Sequence, residues 1–147
     1  MEAKYRVALI ILYDPGRRLL LQHRTKDAKI LPDYWAFFGG SVRQGETPHE
    51  AVRREALEEL NYKLKAPQLF IEQDFKIGST EGYMYVYIEA FDSDKSLLNL
   101  QEGQGWGWYK ASEVDGLRMI DHDRKLVKSI TRYLENSTNT NSERAES

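Results

Sequence analysis

Short apolar runs separated by polar turns dominate the N-terminal part of the chain and predict strands. Residues 4–13 are rich in Val, Ile, Leu and Tyr and end at Asp14-Pro15-Gly16, a strong turn signal. Residues 19–24 (LLLQHR) predict a second strand, so the two runs indicate a hairpin. After a polar loop, residues 34–38 (YWAFF) predict a short aromatic strand that leads directly into Gly39-Gly40.

A helix with clear start and stop signals follows these two glycines. Thr47 is suited to cap it, Pro48 suits the first helical position, and Glu50 lies three residues after Thr47 as in a capping box. Asn61 is expected to end the helix, because asparagine adopts left-handed backbone angles more readily than most residues. The buried stripe of the helix is predicted at Val52, Ala56 and Leu60.

The second half of the chain predicts further strands and a closing helix. Residues 69–77 and 83–91 are rich in β-branched and aromatic residues, and residues 106–109 predict another short strand. Apolar residues recur with helical spacing between Asp121 and Leu134 and predict an amphipathic helix. Together these elements indicate an α/β fold with a mixed β-sheet between helical layers.

The chain length predicts a single domain, which we place at residues 1–135. Residues 136–147 are polar and lack apolar periodicity, so they predict a disordered tail. The longest early apolar run, Val7 to Leu12, is too short to cross a membrane and lacks the layout of a signal peptide. Oligomeric state is left open, with a homodimer as one ordinary outcome.

Composition narrows the classes of function. The 147 residues are 41% hydrophobic and 30% charged, with a formal net charge of −2 at pH 7. This charge argues against a surface that coats nucleic acid or adsorbs to membranes, so we expect neither as a stable partner. It leaves room for a small phosphorylated substrate held by a local positive patch. The chain has no cysteine, which excludes disulfides and thiolate sites and is compatible with the cytoplasmic location that we expect.

Acidic residues gather on one face of the predicted internal helix. Glu55, Glu58 and Glu59 lie at i, i+3 and i+4, where like charges repel by a few tenths of a kcal/mol per pair. Hard oxygen ligands on one rigid face suit a Mg²⁺-type cation, although an acidic run can also be only a solvated surface. Arg54 can reach Glu58, or the loop residue Glu46, and would hold the acids in place.

The full spacing resembles the Nudix box, G-x5-E-x7-R-E-U-x-E-E-x-G-U, in which U is aliphatic. Every charged position matches across the 23 residues from Gly40 to Tyr62. The resemblance implies a Nudix-like αβα sandwich with a catalytic loop-helix and a C-terminal helix, and metal-dependent cleavage of a diphosphate linked to another moiety. Three positions depart from the pattern of the MutT-like members: Asn61 replaces glycine, Tyr62 replaces an aliphatic residue, and Phe38 replaces a proline.

The resemblance also implies roles for individual residues. It implies a Mg²⁺ site, in which Mn²⁺ can substitute, with the Gly39 carbonyl and several carboxylates as ligands. One of these carboxylates would be Glu102, which lies far from the helix in sequence, in the stretch Glu102-Gly103-Gln104. We expect Glu55 to orient or deprotonate the attacking water. The catalytic group is therefore Glu55, Glu58 and Arg54; the metal ligands are Gly39, Glu55, Glu58, Glu59 and Glu102; and the structural supports are Gly40 and Glu46, together with Arg54 in a second role.

Six further residues are candidates for substrate binding, each with a plain alternative. Arg24 either binds substrate or is a surface arginine, and Lys29 either binds substrate or is a solvated lysine. Phe37 either stacks on a base or packs in the core. The residues before the last helix match a position where related enzymes read a base, although Asp121 can simply cap that helix. The six candidates are Arg24, Lys29, Phe37, Phe38, His122 and Asp123.

Three classes of function follow. The first is a hydrolase of a nucleoside diphosphate derivative, foremost a nucleoside triphosphate such as an oxidised purine nucleotide, otherwise a dinucleotide polyphosphate, a nucleotide sugar or an RNA 5′ end. The second is a Nudix domain that binds nucleotide without catalysis, against which the intact acids argue. The third is a structural domain whose acidic helix binds calcium or a partner. Nothing in the sequence selects one base or leaving group.

Overall fold

The computed structural model describes residues 5–100 and 103–146, with side chains up to residue 137. Two 3₁₀ turns, Lys95–Leu97 and Val114–Gly116, lie in the loops on either side of the last strand. The elements in this part of the chain are, in order, β1 (Tyr5–Tyr13), β2 (Leu19–His23), β3 (Trp35–Ala36), β4 (Phe38–Ser41), α1 (Pro48–Leu60), β5 (Gln68–Ile77), β6 (Thr80–Ala90), β7 (Gly105–Tyr109) and α2 (Asp121–Glu146).

The strands form one mixed sheet in the order β3-β2-β1-β6-β5, with β4 also paired to β1 and β7 to β2. Strand β1 runs parallel to β6 along its whole length. Its other edge is shared, because Tyr13 pairs with Leu19 of β2 while residues 7–10 pair with β4. The predicted hairpin therefore forms, but its two strands pair at a single position, and β4 takes the rest of the edge.

Each face of the sheet is covered by one helix, which confirms the αβα sandwich. Successive residues of a strand point to opposite faces. Phe38 accordingly packs with Val52, Ala56 and Leu60 of α1, whereas Phe37 packs with Val127 and other apolar residues of α2. The predicted stripe of α1 is confirmed, since its three residues are at most 1% exposed.

Helix α1 begins and ends where the sequence predicted. The Thr47 hydroxyl accepts a hydrogen bond from the Glu50 N–H at 3.1 Å, and the Thr47 N–H donates to the Glu50 carboxylate at 3.0 Å, which completes the capping box. Asn61 closes the helix in the left-handed conformation with φ 52° and ψ 39°. This is the geometry that the box normally reserves for glycine, so the substitution by asparagine keeps the backbone path.

Among the predicted boundaries that differ, two have a clear physical reason. The aromatic run 34–38 divides into β3 and β4, because the chain leaves the edge of β2 and joins the edge of β1. The Gln22 amide marks this change of partner, donating to the Phe37 carbonyl at 2.9 Å. Helix α2 continues to Glu146, past Leu134, where the predicted amphipathic segment ends, and the domain limit and the disordered tail stay predictions. Once a helix is anchored, each added residue contributes one further backbone hydrogen bond, so polar residues can extend it.

The packed part of α2 matches the predicted amphipathic segment. Its buried apolar residues are Leu126, Val127, Ile130 and Leu134. Within residues 5–100 and 103–146, no helix combines the length and the apolar character that a membrane span requires.

Candidate active site

Two glycines of β4 bring the backbone against two carboxylates of α1. Gly39 has φ 143°, and a Cβ there would lie 2.2 Å from the Ala8 carbonyl oxygen, so only glycine permits this approach to β1. The Gly39 N–H donates to Glu59 at 3.1 Å. The Glu55 carboxylate lies over Gly40, where a Cβ would be 2.5 Å from Oε1. Strand β4 and helix α1 therefore converge through Glu55 and Glu59.

Arg54 links the loop before α1 to the acids of the helix. Its Nε and Nη2 donate to the two oxygens of Glu46 at 2.8 and 3.0 Å, and Nη2 also donates to the Ser41 carbonyl at 2.9 Å. Its Nη1 lies 2.9 Å from Glu55 and 3.3 Å from Glu58. Both contacts that the sequence left open, to Glu46 and to Glu58, are thus present. One guanidinium gathers three carboxylates and fixes the loop to the helix.

The Arg54–Glu46 pair is also an electrostatic anchor. The hydrogen bonds from Arg54, followed by that from the Arg43 N–H, lower the pKa of Glu46 to about 2. The hydrogen bonds that Glu46 accepts from Arg54, and then the contact of Arg54 with Glu55, raise the pKa of Arg54 above its usual range. Both groups stay charged at neutral pH, so the bidentate pair persists there.

The oxygen donors have the chemistry that Mg²⁺ prefers, but they do not form a complete ligand set among the described side chains. Glu59 is buried at 7% exposure, whereas the Glu58 side chain is half exposed. Among the side chains of residues 5–100 and 103–137, no three from His, Cys, Asp or Glu are placed to hold one ion. The predicted ligand Glu102 lies outside the described residues. Glu55 and Glu58 meet instead at one nitrogen of Arg54, so two acids already share a positive centre.

A cavity of about 260 Å³ opens beside the two glycines on the α2 face of the sheet. One part of its wall is formed by Gly39, Gly40 and Glu59, and another by Phe37, Met84 and Asp123. Arg24 also lines it. Three of the six predicted substrate-binding residues, namely Arg24, Phe37 and Asp123, therefore share one cavity with the predicted metal ligands Gly39 and Glu59.

The other three candidates lie elsewhere. Phe38 is 1% exposed, packs under α1 and does not line the cavity, so the structure gives no support for a contact between Phe38 and substrate. Its neighbour Phe37 packs on the opposite face of the sheet and lines the cavity. Lys29 is exposed on the loop after β2 and does not line the cavity. His122 does not line the cavity, but its Nδ1 lies 3.2 Å from the Asp123 carboxylate.

Arg24 and Gln104 hold the loop between β2 and β3 at the rim of the cavity. Arg24 Nε donates to the Ile30 carbonyl at 2.7 Å. The Gln104 amide donates to the Arg24 carbonyl at 2.7 Å and to Asp33 at 2.8 Å, and this second bond is the main favourable cause of the lowered pKa of Asp33. Sequence reasoning gave Gln104 no role of its own. Its position two residues after the expected ligand Glu102 was the available signal.

The comparison with known families decides the assignment. The model of the NUDIX domain matches residues 3–130. This chain belongs to the Nudix family. It is accordingly a Nudix hydrolase, a pyrophosphohydrolase that acts on phosphorus-containing acid anhydrides.

Relatives with recorded activities are similar along most of this Nudix chain. The nucleoside triphosphatase NudI of Enterobacter sp. is 28% identical over 125 residues, covering 78% of this chain and 87% of the relative. The NAD-capped RNA hydrolase NudC of Chromobacterium violaceum is 29% identical over 124 residues, covering 82% of this chain but only 44% of the relative.

Solved structures confirm the Nudix fold. The MutT protein from Methanosarcina mazei superposes with a TM-score of 0.76 at 18% identity, over 90% of this chain and 97% of that one. The dihydroneopterin triphosphate pyrophosphohydrolase of E. coli gives a TM-score of 0.73 at 20% identity, over 90% of this chain and 99% of that one. At these identities the likeness concerns the fold alone.

The departures from the Nudix box leave its framework in place. Asn61 adopts the left-handed angles described above. Tyr62 packs edge-on against Phe91 with ring centroids 5.3 Å apart, so an aromatic ring fills the position of the usual aliphatic residue. Phe38 fills the core beneath α1 and therefore changes the packing under the Nudix helix rather than the cavity.

Proposed function

We propose that this Nudix enzyme hydrolyses a nucleoside triphosphate in the presence of Mg²⁺, for which Mn²⁺ can substitute. One observation carries the proposal: a single cavity is lined by the glycine turn and Glu59, by the apolar side chains of Phe37 and Met84, and by the Asp123 carboxylate. A flat ring between Phe37 and Met84 would place its phosphates toward Gly39 and Gly40. The similarity to a relative named nucleoside triphosphatase supports the same substrate class.

The ligands proposed for the metal are the Gly39 carbonyl and the carboxylates of Glu55, Glu58, Glu59 and Glu102. A bound divalent cation offsets the charge of the polyphosphate and polarises the phosphorus centre. Arg54 would keep the acids of α1 within reach of one another, and Glu46 would fix Arg54. Gly40 leaves the space that the Glu55 side chain occupies. These supports set the position of the acids before substrate arrives.

Glu55 is proposed as the base. In the step, the oxygen of a water forms a bond to phosphorus, and the anhydride P–O bond breaks with its electron pair on the departing oxygen. The proton released by the water passes to the Glu55 carboxylate. The Glu55 side chain is 13% exposed and held by Arg54 at 2.9 Å, so its orientation is restricted. Restricting a base in this way lowers the entropic cost of reaching the reactive geometry.

Asp123 is proposed to contact the base of the nucleotide. An ionised carboxylate only accepts hydrogen bonds, so it favours a ring edge that carries N–H donors. A guanine-type edge offers two adjacent donors, whereas adenine pairs its amino group with an acceptor nitrogen. Phe37 and Met84 would pack against the ring face. We therefore expect purines of the guanine type, oxidised ones included, to be preferred over adenine.

A substrate panel tests this function. Nucleoside triphosphates, dinucleotide polyphosphates, nucleotide sugars and NAD-capped RNA are incubated with Mg²⁺, and products are separated into monophosphate, diphosphate, pyrophosphate and phosphate. We expect the triphosphates to be cleaved fastest. If the protein cleaves only another class of compound, that class replaces the nucleoside triphosphates as the proposed substrate. Nucleotide binding without turnover would identify a non-catalytic domain.

The Glu59→Gln variant tests the site. The change removes one carboxylate charge from the glycine turn with almost no change in volume, so we expect kcat to fall at least about 100-fold. Glu135→Gln is the matched control, since Glu135 is exposed near the end of the packed part of α2. If Glu59→Gln turns over nucleotide at the wild-type rate, the proposed site is wrong.

A further inference from the structure

Three side chains connect strand β5 to the wall of the cavity. Asp123 lines the cavity and is 5% exposed. His122 Nδ1 lies 3.2 Å from Asp123 Oδ1, and His122 Nε2 lies 2.7 Å from the amide nitrogen of Gln73 on β5. Gln73 and His122 are 49 positions apart, so the tertiary fold creates this chain of contacts.

The contacts favour one arrangement of the hydrogens on His122. An amide nitrogen only donates, so Gln73 requires His122 Nε2 to accept. In the neutral ring the proton then resides on Nδ1, which donates to Asp123. Gln73 thereby selects the tautomer that can orient the carboxylate. The distant residue acts on the cavity through the imidazole, and neither Gln73 nor His122 lines the cavity itself.

The charges around His122 favour a role toward Asp123. The hydrogen bond with Asp123, and then its negative charge, raise the pKa of His122, while burial and Lys125 act in the opposite direction. Gln73, on the strand facing it, is neutral. Across the cavity, Arg24 and Glu59 are the charged residues that share the wall with Asp123. The carboxylate therefore has His122 as a partner outside the cavity and keeps a face toward the cavity.

Stability alone does not account for a histidine at this position. The His122 side chain is 42% exposed, so much of its ring stays in contact with solvent. It also lies in the first turn of α2, where the helix dipole disfavours a positive charge by a few tenths of a kcal/mol or more. The placement becomes useful when the imidazole holds a neighbouring carboxylate.

We infer that His122 and Gln73 are positioning residues that hold the Asp123 carboxylate in the orientation that receives the N–H edge of the nucleobase. The identity of the ligand rests on the proposed function. The contacts themselves belong to the protein without ligand. Loss of His122 therefore weakens substrate binding and leaves the chemical step at Glu55 and its neighbours intact.

Three variants of the full chain test the inference with dGTP and Mg²⁺. We expect His122→Ala to raise KM at least fivefold with kcat within twofold of wild type. In His122→Asn, the side-chain Nδ2 replaces the donor at Nδ1, so KM should return to within twofold of wild type. Gln73→Ala removes only the outer contact and should raise KM about threefold. His49→Ala is the matched control, because His49 is exposed on α1 and does not line the cavity.

A second readout keeps this test separate from the proposed function. Nitrogen-15 NMR of the free protein should give the Nδ1–H tautomer for His122 in wild type, and a mixture of tautomers in Gln73→Ala. If wild type neither binds nor cleaves dGTP, the proposed function fails, and the tautomer still decides the positioning. An unchanged KM in His122→Ala, an elevated KM that His122→Asn does not restore, or a His122 tautomer independent of Gln73 would each overturn the inference. Unfolding midpoints show which variants are folded.

Discussion

Gly39 shows how one residue couples the sheet to the catalytic helix. Its Cβ would clash with the backbone of β1, at 2.2 Å from the Ala8 oxygen, and its φ of 143° is itself unfavourable for other residues. We expect Gly39→Ala to lower the free energy of unfolding by about 3 kcal/mol or more. Gly45, with φ 83° and no neighbour within 4 Å of a Cβ, is the control, and Gly45→Ala should cost about 1 kcal/mol. Urea denaturation measures both, and equal losses would contradict the role of the clash.

Glu46 gives the site a defined dependence on pH. Its folded pKa of about 2 lies below the ordinary value of 4.5, so its stabilisation is complete above pH 4.5 and is lost as the pH falls toward 2. Glu46→Gln removes the charged partner of Arg54, and we expect it to lower the free energy of unfolding at pH 7 by about 2 kcal/mol. It should also flatten the pH dependence of stability between 4.5 and 2. Urea denaturation of the wild type and of Glu46→Gln at several pH values tests this prediction. If the free energy of unfolding changes with pH in the same way in both proteins, the prediction is refuted.

The end of α1 provides the corresponding test for an element. Asn61 adopts φ 52°, which costs most side chains about 1 kcal/mol and glycine nothing. Asn61→Ala should therefore reduce the free energy of unfolding by about 1 kcal/mol, whereas Asn61→Gly should match or exceed the natural chain. Chemical denaturation separates the two. A more stable alanine variant would mean that the closing geometry of the helix is not limiting.

The same helix shows why part of the fold could be predicted from sequence. Its cap, its buried stripe and its closing residue depend on neighbours within four positions, and Thr47, Pro48 and Asn61 all took their predicted places. The division of the run YWAFF could not be predicted, because it depends on which strand edge lies next to each residue.

In the candidate site, too, local contacts could be predicted and contacts between distant residues could not. Spacing within the Nudix box predicted that Arg54 could reach Glu46 and Glu58, and both contacts are present. The contact of Gln73 with His122 joins residues that are distant in sequence and gives no local signal. The placement of Phe38 under α1 followed from strand alternation, but only once the face occupied by Phe37 was known.

At the scale of the whole molecule, β1 connects the two layers that the site needs. It pairs with β6 on one side and presents its other edge to β4, which carries Gly39 and Gly40. Helix α1 brings the acids to those glycines from one face, while the cavity with Asp123 opens on the face of α2. The site therefore lies where β4 meets β1, and both helices must be docked for it to be complete.

This requirement predicts how much of α2 the enzyme needs. Its buried contacts with the sheet end at Leu134, and residues 138–147 are polar apart from Ala145. A chain that ends at Ser137 should keep the same kcat/KM and a Tm within about 2 °C, because no apolar surface of the packed segment is removed. A chain that ends at Lys125 should lose both, because it lacks Leu126, Val127, Ile130 and Leu134 and exposes their partners on the sheet. Thermal unfolding and nucleotide turnover of the two truncated chains test this prediction. A large loss of Tm or of kcat/KM in the chain that ends at Ser137 would assign a structural role to the polar end of the helix.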